Sequence, residues 1–95
     1  MTAAQTIAKQ LGGRRFQVMT GATMYADENK LTVKFKGSKV ANYMNIEYKL
    51  NDTYTMTFFK AHGDSFKTIA EYTEVYCDQL IALFEMVTGL RTSFN

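Results

Sequence analysis

Between Tyr43 and Lys60 the chain alternates almost strictly. Met44, Ile46, Tyr48 and Leu50 fall on one side of an extended backbone, with Tyr43, Asn45, Glu47 and Lys49 on the other; after Asn51-Asp52, Tyr54, Met56 and Phe58 oppose Thr55, Thr57 and Phe59. A side-chain period of two is that of a β-strand. One apolar side and one largely polar side describe a sheet buried on one face and wet on the other, which antiparallel strands tolerate and parallel ones do not. Asn51-Asp52 can serve as a two-residue turn into Thr53 to Lys60, so this stretch predicts an antiparallel hairpin.

The same pattern extends in both directions. Leu31, Val33 and Phe35 oppose Thr32, Lys34 and Lys36 before Gly37-Ser38, and Met24-Tyr25 precede a hairpin turn at Asp27-Glu28-Asn29. Phe16 and Val18 alternate with Arg15 and Gln17, which predicts a further strand from Arg14. Beyond the loop His62-Gly63-Asp64, residues Phe66 to Tyr72 form the last expected strand.

At the two ends the period lengthens to that of a helix. Thr2 and Gln5 have the spacing of a capping box, in which hydroxyl and carboxamide reciprocally satisfy early backbone N–H groups. Ala4, Ile7, Ala8 and Leu11 then share a face, and Gly12-Gly13 stops the helix. Thr73 is the expected N-cap of a final helix with Glu74 in its first turn and Tyr76, Leu80, Leu83, Phe84 and Val87 as its inward stripe, ended by Gly89. Ile81 and Met86 widen that stripe and are the candidate contacts of a homodimer. The expected architecture is α+β: a short N-terminal helix, an antiparallel sheet of about five or six strands, and a C-terminal helix packed on one face. Residues 1–95 are expected to form one compact domain without linker, repeat or low-complexity segment. Proline is absent, so lysines or a partner strand must protect the sheet edges.

Few residues suggest chemistry. His62 and Asp64 belong to a turn with no marked nucleophile or oxyanion donor, and one His and one Cys do not have a zinc spacing. Cys77 has acidic neighbours, Glu74 and Asp78, which oppose thiolate formation, and is expected as a small, half-buried helix residue. Gly12-Gly13 precedes strand-like residues and is a helix cap instead of a phosphate-cradling loop. No catalytic, cofactor or metal residue is expected, and the chain reads as non-enzymatic. With a single cysteine, no leader-like start and no window near the roughly 18 apolar residues of a spanning helix, it reads as cytoplasmic and off the membrane.

Charge is unevenly spread. The net charge of +2 divides into +1 for residues 1–29, +4 for 30–60 and −3 for 61–95, a balance that disfavours an acidic DNA mimic. Lys30, Lys34, Lys36 and Lys39 lie on or beside one short strand. Together with Arg14, Arg15 and Tyr43 they are the candidate nucleic-acid or partner-binding residues, the cations meeting phosphates and the ring stacking on a base. The plainer reading is a solvated sheet face whose lysines oppose aggregation.

The segments AKQLGGRRFQVMTGA and VYCDQLIALFEMVTGLRTS resemble a group of small proteins encoded by tailed bacteriophages and prophages, and the resemblance runs through QLGG, MTGA, the strand around Leu31 to Phe35, VYCDQL and TGLRTS. It implies residence in a bacterial host and binding of a host protein or protein complex. Steric inhibition of a host-defence nuclease, in the manner of an anti-CRISPR protein, is its specific form. A nucleic-acid-binding accessory protein and a small phage structural or assembly protein are the alternatives.

Overall fold

The computed structural model describes residues 2–92. Helices α1 (Ala3–Gln10) and α2 (Arg14–Thr20) lead into five strands, β1 (Thr23–Ala26), β2 (Lys30–Lys34), β3 (Tyr43–Lys49), β4 (Thr53–His62) and β5 (Ser65–Val75), and helix α3 (Leu80–Thr88) follows. The strands form one antiparallel meander in the order β1-β2-β3-β4-β5. The expected α+β architecture is therefore present, with a second N-terminal helix added.

All three helices pack on the same face of the sheet. Leu31 and Val33 of β2, Met44 and Ile46 of β3, and Met56 and Phe58 of β4 meet Ala4, Ile7, Leu11, Phe16, Leu80 and Phe84 in one core. Phe84 seals the layers, with its ring edge-on to Phe16 at 4.8 Å and to Phe35 at 5.1 Å. Each fully buried Val, Leu, Ile, Phe or Met side chain in this core contributes about 1.5–3 kcal/mol.

Local chemistry explains the element ends. Thr2 and Gln5 form the anticipated capping box, with Gln5 N donating to Thr2 Oγ1 at 3.2 Å and Thr2 N to Gln5 Oε1 at 3.0 Å. Gly12 and Gly13 have φ of 112° and 56°, values costly for a side chain, and turn the backbone between α1 and α2. At the other end Gly89 closes α3 in the left-handed conformation, its N–H donating to Glu85 O at 2.9 Å.

Several expectations give way. Arg14 to Val18 is helix, not strand: Phe16 and Thr20 are one helical turn apart and both buried, while Val18 is 66% exposed. Two alternating apolar residues are too short a signal to exclude that helix. β5 runs on to Val75, so Thr73 and Glu74 belong to a strand and cap nothing. Glu74 has φ +54°, at the irregularity where Thr73 and Glu74 together oppose Thr55. α3 starts only after a 3₁₀ turn at Cys77–Gln79, with Tyr76 N donating to Gln79 Oε1 at 3.0 Å. Tyr76 is accordingly outside the inward stripe and Cys77 is exposed, not half-buried. The β3–β4 turn takes three residues, Leu50–Asp52, with Asn51 and Asp52 at positive φ, which places Leu50 85% exposed instead of inward.

Candidate functional site

The helices leave the other face of the sheet open. Strand register places Lys34, Tyr43, Phe59 and Thr68 in one row across β2, β3, β4 and β5. Phe66, opposite Ala61 on the β4–β5 hairpin, leans onto that row: its ring centroid is 5.2 Å from Tyr43 and 6.3 Å from Phe59. Lys34 Nζ stands 5.9 Å from the Tyr43 centroid, within cation–π range. Three aromatic rings from three neighbouring strands, beside an ammonium group, thus occupy a face that no helix covers.

This end of the face is held in place by the backbone around it. Asn42 N donates to Phe59 O at 3.0 Å, Asn42 Nδ2 to Ala61 O at 3.0 Å, and Ala61 N to Asn42 Oδ1 at 2.7 Å. The side chain thereby extends the β3–β4 ladder beyond Tyr43 and fixes the stretch that carries Phe59. Opposite, the register shift between Phe58 and Phe59 leaves Ile69 as the extra residue of β5 and turns the hairpin end that bears Phe66.

Further along the same face the lining becomes polar. A shallow depression of about 410 Å³ is bordered by Lys30, Asn45, Glu47, Lys49, Thr55, Thr57, Glu71 and Thr73. Thr32 Oγ1 donates to Asn45 Oδ1 at 2.9 Å and Thr57 Oγ1 to Glu71 Oε2 at 3.2 Å, so the hydroxyls are oriented by acceptors in the sheet. Glu47 pairs with Lys49 at 3.1 Å.

The candidate binding residues are divided by this geometry. Lys34 and Tyr43 are register partners on the open face, and Lys30 shares that face four residues along β2, opposite Glu47. Lys36 and Lys39 are exposed just past β2, where Lys36 N donates to Thr20 O at 3.3 Å. Arg14 and Arg15 open α2, in the helical layer. Phe59 and Phe66 were absent from the sequence-derived set, although Phe59 interrupts the polar side of Thr55 and Thr57 and thereby signals an apolar residue on the wet face. On α3, Ile81 is partly buried against the core whereas Met86 is 64% exposed.

The remaining reactive side chains stand apart. His62 is exposed at the end of β4, and no group of three or more His, Cys, Asp or Glu side chains converges on a metal position among the described residues. Cys77 borders a cavity with Gln10, Tyr48, Asp52 and Tyr54. There the Tyr48 hydroxyl donates to Asp52 Oδ1 at 2.8 Å, and this bond, with the carboxylate charge, raises the phenol above its ordinary pKa. Burial raises Tyr54 likewise, and its hydroxyl donates to Gln10 Oε1 at 2.9 Å.

No family model, curated protein or solved structure matches the chain. That finding overturns the expected kinship with bacteriophage and prophage proteins. The resemblance was expected to run over nearly the whole chain, and the host-defence and anti-CRISPR roles derived from it fall with it. Among the described residues no helix is long and apolar enough to cross a membrane.

Proposed function

We propose that the chain is a non-enzymatic binding module that takes up single-stranded nucleic acid on its open sheet face. The observation that carries this reading is the row Lys34, Tyr43, Phe59 with Phe66 leaning on it. Rings on an open face, here the exposed Phe66 against the half-buried Tyr43 and Phe59, give bases a stacking surface without regard to sequence, and an adjacent ammonium neutralises phosphate. Phe66 is 62% exposed, so a base laid on it removes apolar area from water that folding leaves wet. The sequence pI of about 8.7 and the excess of lysine in residues 30–60 favour approach of a polyanion. Glu47 and Glu71 lie on the same face and limit the track to its aromatic end.

The test is fluorescence anisotropy with a labelled oligothymidylate over a salt series. Binding is expected to weaken with a log–log slope of about −0.7 per phosphate neutralised. Replacement of Phe66 by Ala is expected to cost about 1–3 kcal/mol, roughly 5- to 150-fold in affinity. Absence of binding at low salt, or equal binding by the Phe66→Ala protein, would remove the reading, and a protein partner would then be sought for the same face.

A further inference from the structure

On the far side of the sheet from the aromatic row, a cavity of about 500 Å³ opens between α1, the β3–β4 hairpin and the 3₁₀ turn before α3, lined by Ala3, Thr6, Gln10, Tyr48, Asp52, Tyr54 and Cys77. Its volume lies within the range of small-molecule sites. The two tyrosine rings meet edge to face with centroids 5.8 Å apart. Asp52 uses Oδ1 to accept from the Tyr48 hydroxyl and makes no ion pair with any described residue. Neither lysine nor arginine contributes to the lining. One carboxylate without a counter-ion, beside the half-buried ring of Tyr48 with the buried Tyr54 behind it, is the chemistry that recognises an organic cation: the carboxylate supplies charge and the tyrosine ring an apolar, π-rich wall.

We propose that this cavity binds a small alkylammonium group. The ammonium meets Asp52, whose geometry the Tyr48 hydroxyl holds, and the alkyl part lies against Tyr54 and the methyls of Ala3 and Thr6. The site is independent of the nucleic-acid reading, since it shares no residue with the aromatic row.

The test uses butylammonium chloride as probe, with butanol and sodium chloride as controls, followed by backbone amide NMR shifts. Saturable shifts at Asp52 and its neighbours with butylammonium alone are expected, and Asp52→Asn should weaken binding about tenfold, the factor that one lost charge-assisted contact of modest strength produces. Because that exchange removes charge at an exposed turn and keeps shape, the variant folds; Tyr48→Leu, which removes a ring, is the second variant and is expected to weaken binding too. Bound probe should also slow alkylation of the exposed Cys77 by iodoacetamide. The proposal is overturned if no saturable shift develops, if butanol binds as well as butylammonium, or if Asp52→Asn binds unchanged.

Discussion

Phe84 joins the helical layer to the segment just past β2, because its ring stands edge-on to both Phe16 and Phe35 and is fully buried. Truncation to Ala leaves a cavity that three elements would have to collapse into together, and is expected to cost about 3–5 kcal/mol in urea unfolding. For a domain whose total stability is roughly 5–15 kcal/mol, that is a large fraction. Tyr48 and Tyr54 make a second prediction. Both phenols have folded pKa values above their ordinary value, so the native state holds these protons more tightly than the unfolded chain. Their stabilisation is complete below about pH 10, the unfolded tyrosine value, and is lost as pH rises through the raised native values. Thermal midpoints measured upward from about pH 10 should therefore fall more steeply in the native sequence than in Tyr48→Phe; equal slopes would contradict the assignment. At this scale the inward residues of β2 to β4 were legible, since alternation alone marks Leu31, Val33, Met44, Ile46, Met56 and Phe58. Leu50 was not, because a turn with two left-handed residues breaks the phase that places it inward.

Among the elements, strands whose partners lie next in sequence were the easiest to read. β2, β3 and β4 each carry their own alternation and their own turn, and local and tertiary preferences agree. α2 is the opposite case. Its seven residues hold only Phe16 and Thr20 against the core, and the hydroxyl of Thr20, which donates to Phe16 O at 2.7 Å, is a buried contact that no periodicity reveals. The C-terminal part of β5 was hidden for a related reason: the irregularity near Glu74 disturbs the period, and a Thr-Glu pair there looks like a helix start. Asn42 supplies the prediction that belongs to this scale. Its carboxamide bonds both backbone groups of Ala61, from a position just before β3 begins. Asn42→Ala leaves both groups to solvent or unpaired and is expected to cost about 1–3 kcal/mol. Hydrogen exchange should locate the effect, with the Ala61 amide losing protection while the Ile46 amide, in the centre of β3, keeps most of its own.

For the whole molecule, three helices on one face of a five-stranded sheet decide which cations can act together. Linear sequence grouped Arg14, Arg15, Lys30, Lys34, Lys36, Lys39 and Tyr43 by type and proximity along the chain; it could not separate them by face, because the helical state of residues 14–20 is set by tertiary packing. The fold puts Arg14 and Arg15 in the helical layer and Lys34 beside the Tyr43 ring of the open face. That separation makes a charge-reversal comparison informative. Lys34→Glu and the pair Arg14→Glu, Arg15→Glu change net charge by two and four units respectively, so a binding mode driven by overall charge would be weakened more by the arginine pair. A mode that uses the open face gives the reverse order: Lys34→Glu loses the ammonium next to Tyr43 and reduces the salt slope by about 0.7, while the arginine pair leaves the slope unchanged. Oligothymidylate anisotropy on the two variants distinguishes these orders. Greater loss in the arginine pair would show that overall charge, and not the aromatic row, drives binding.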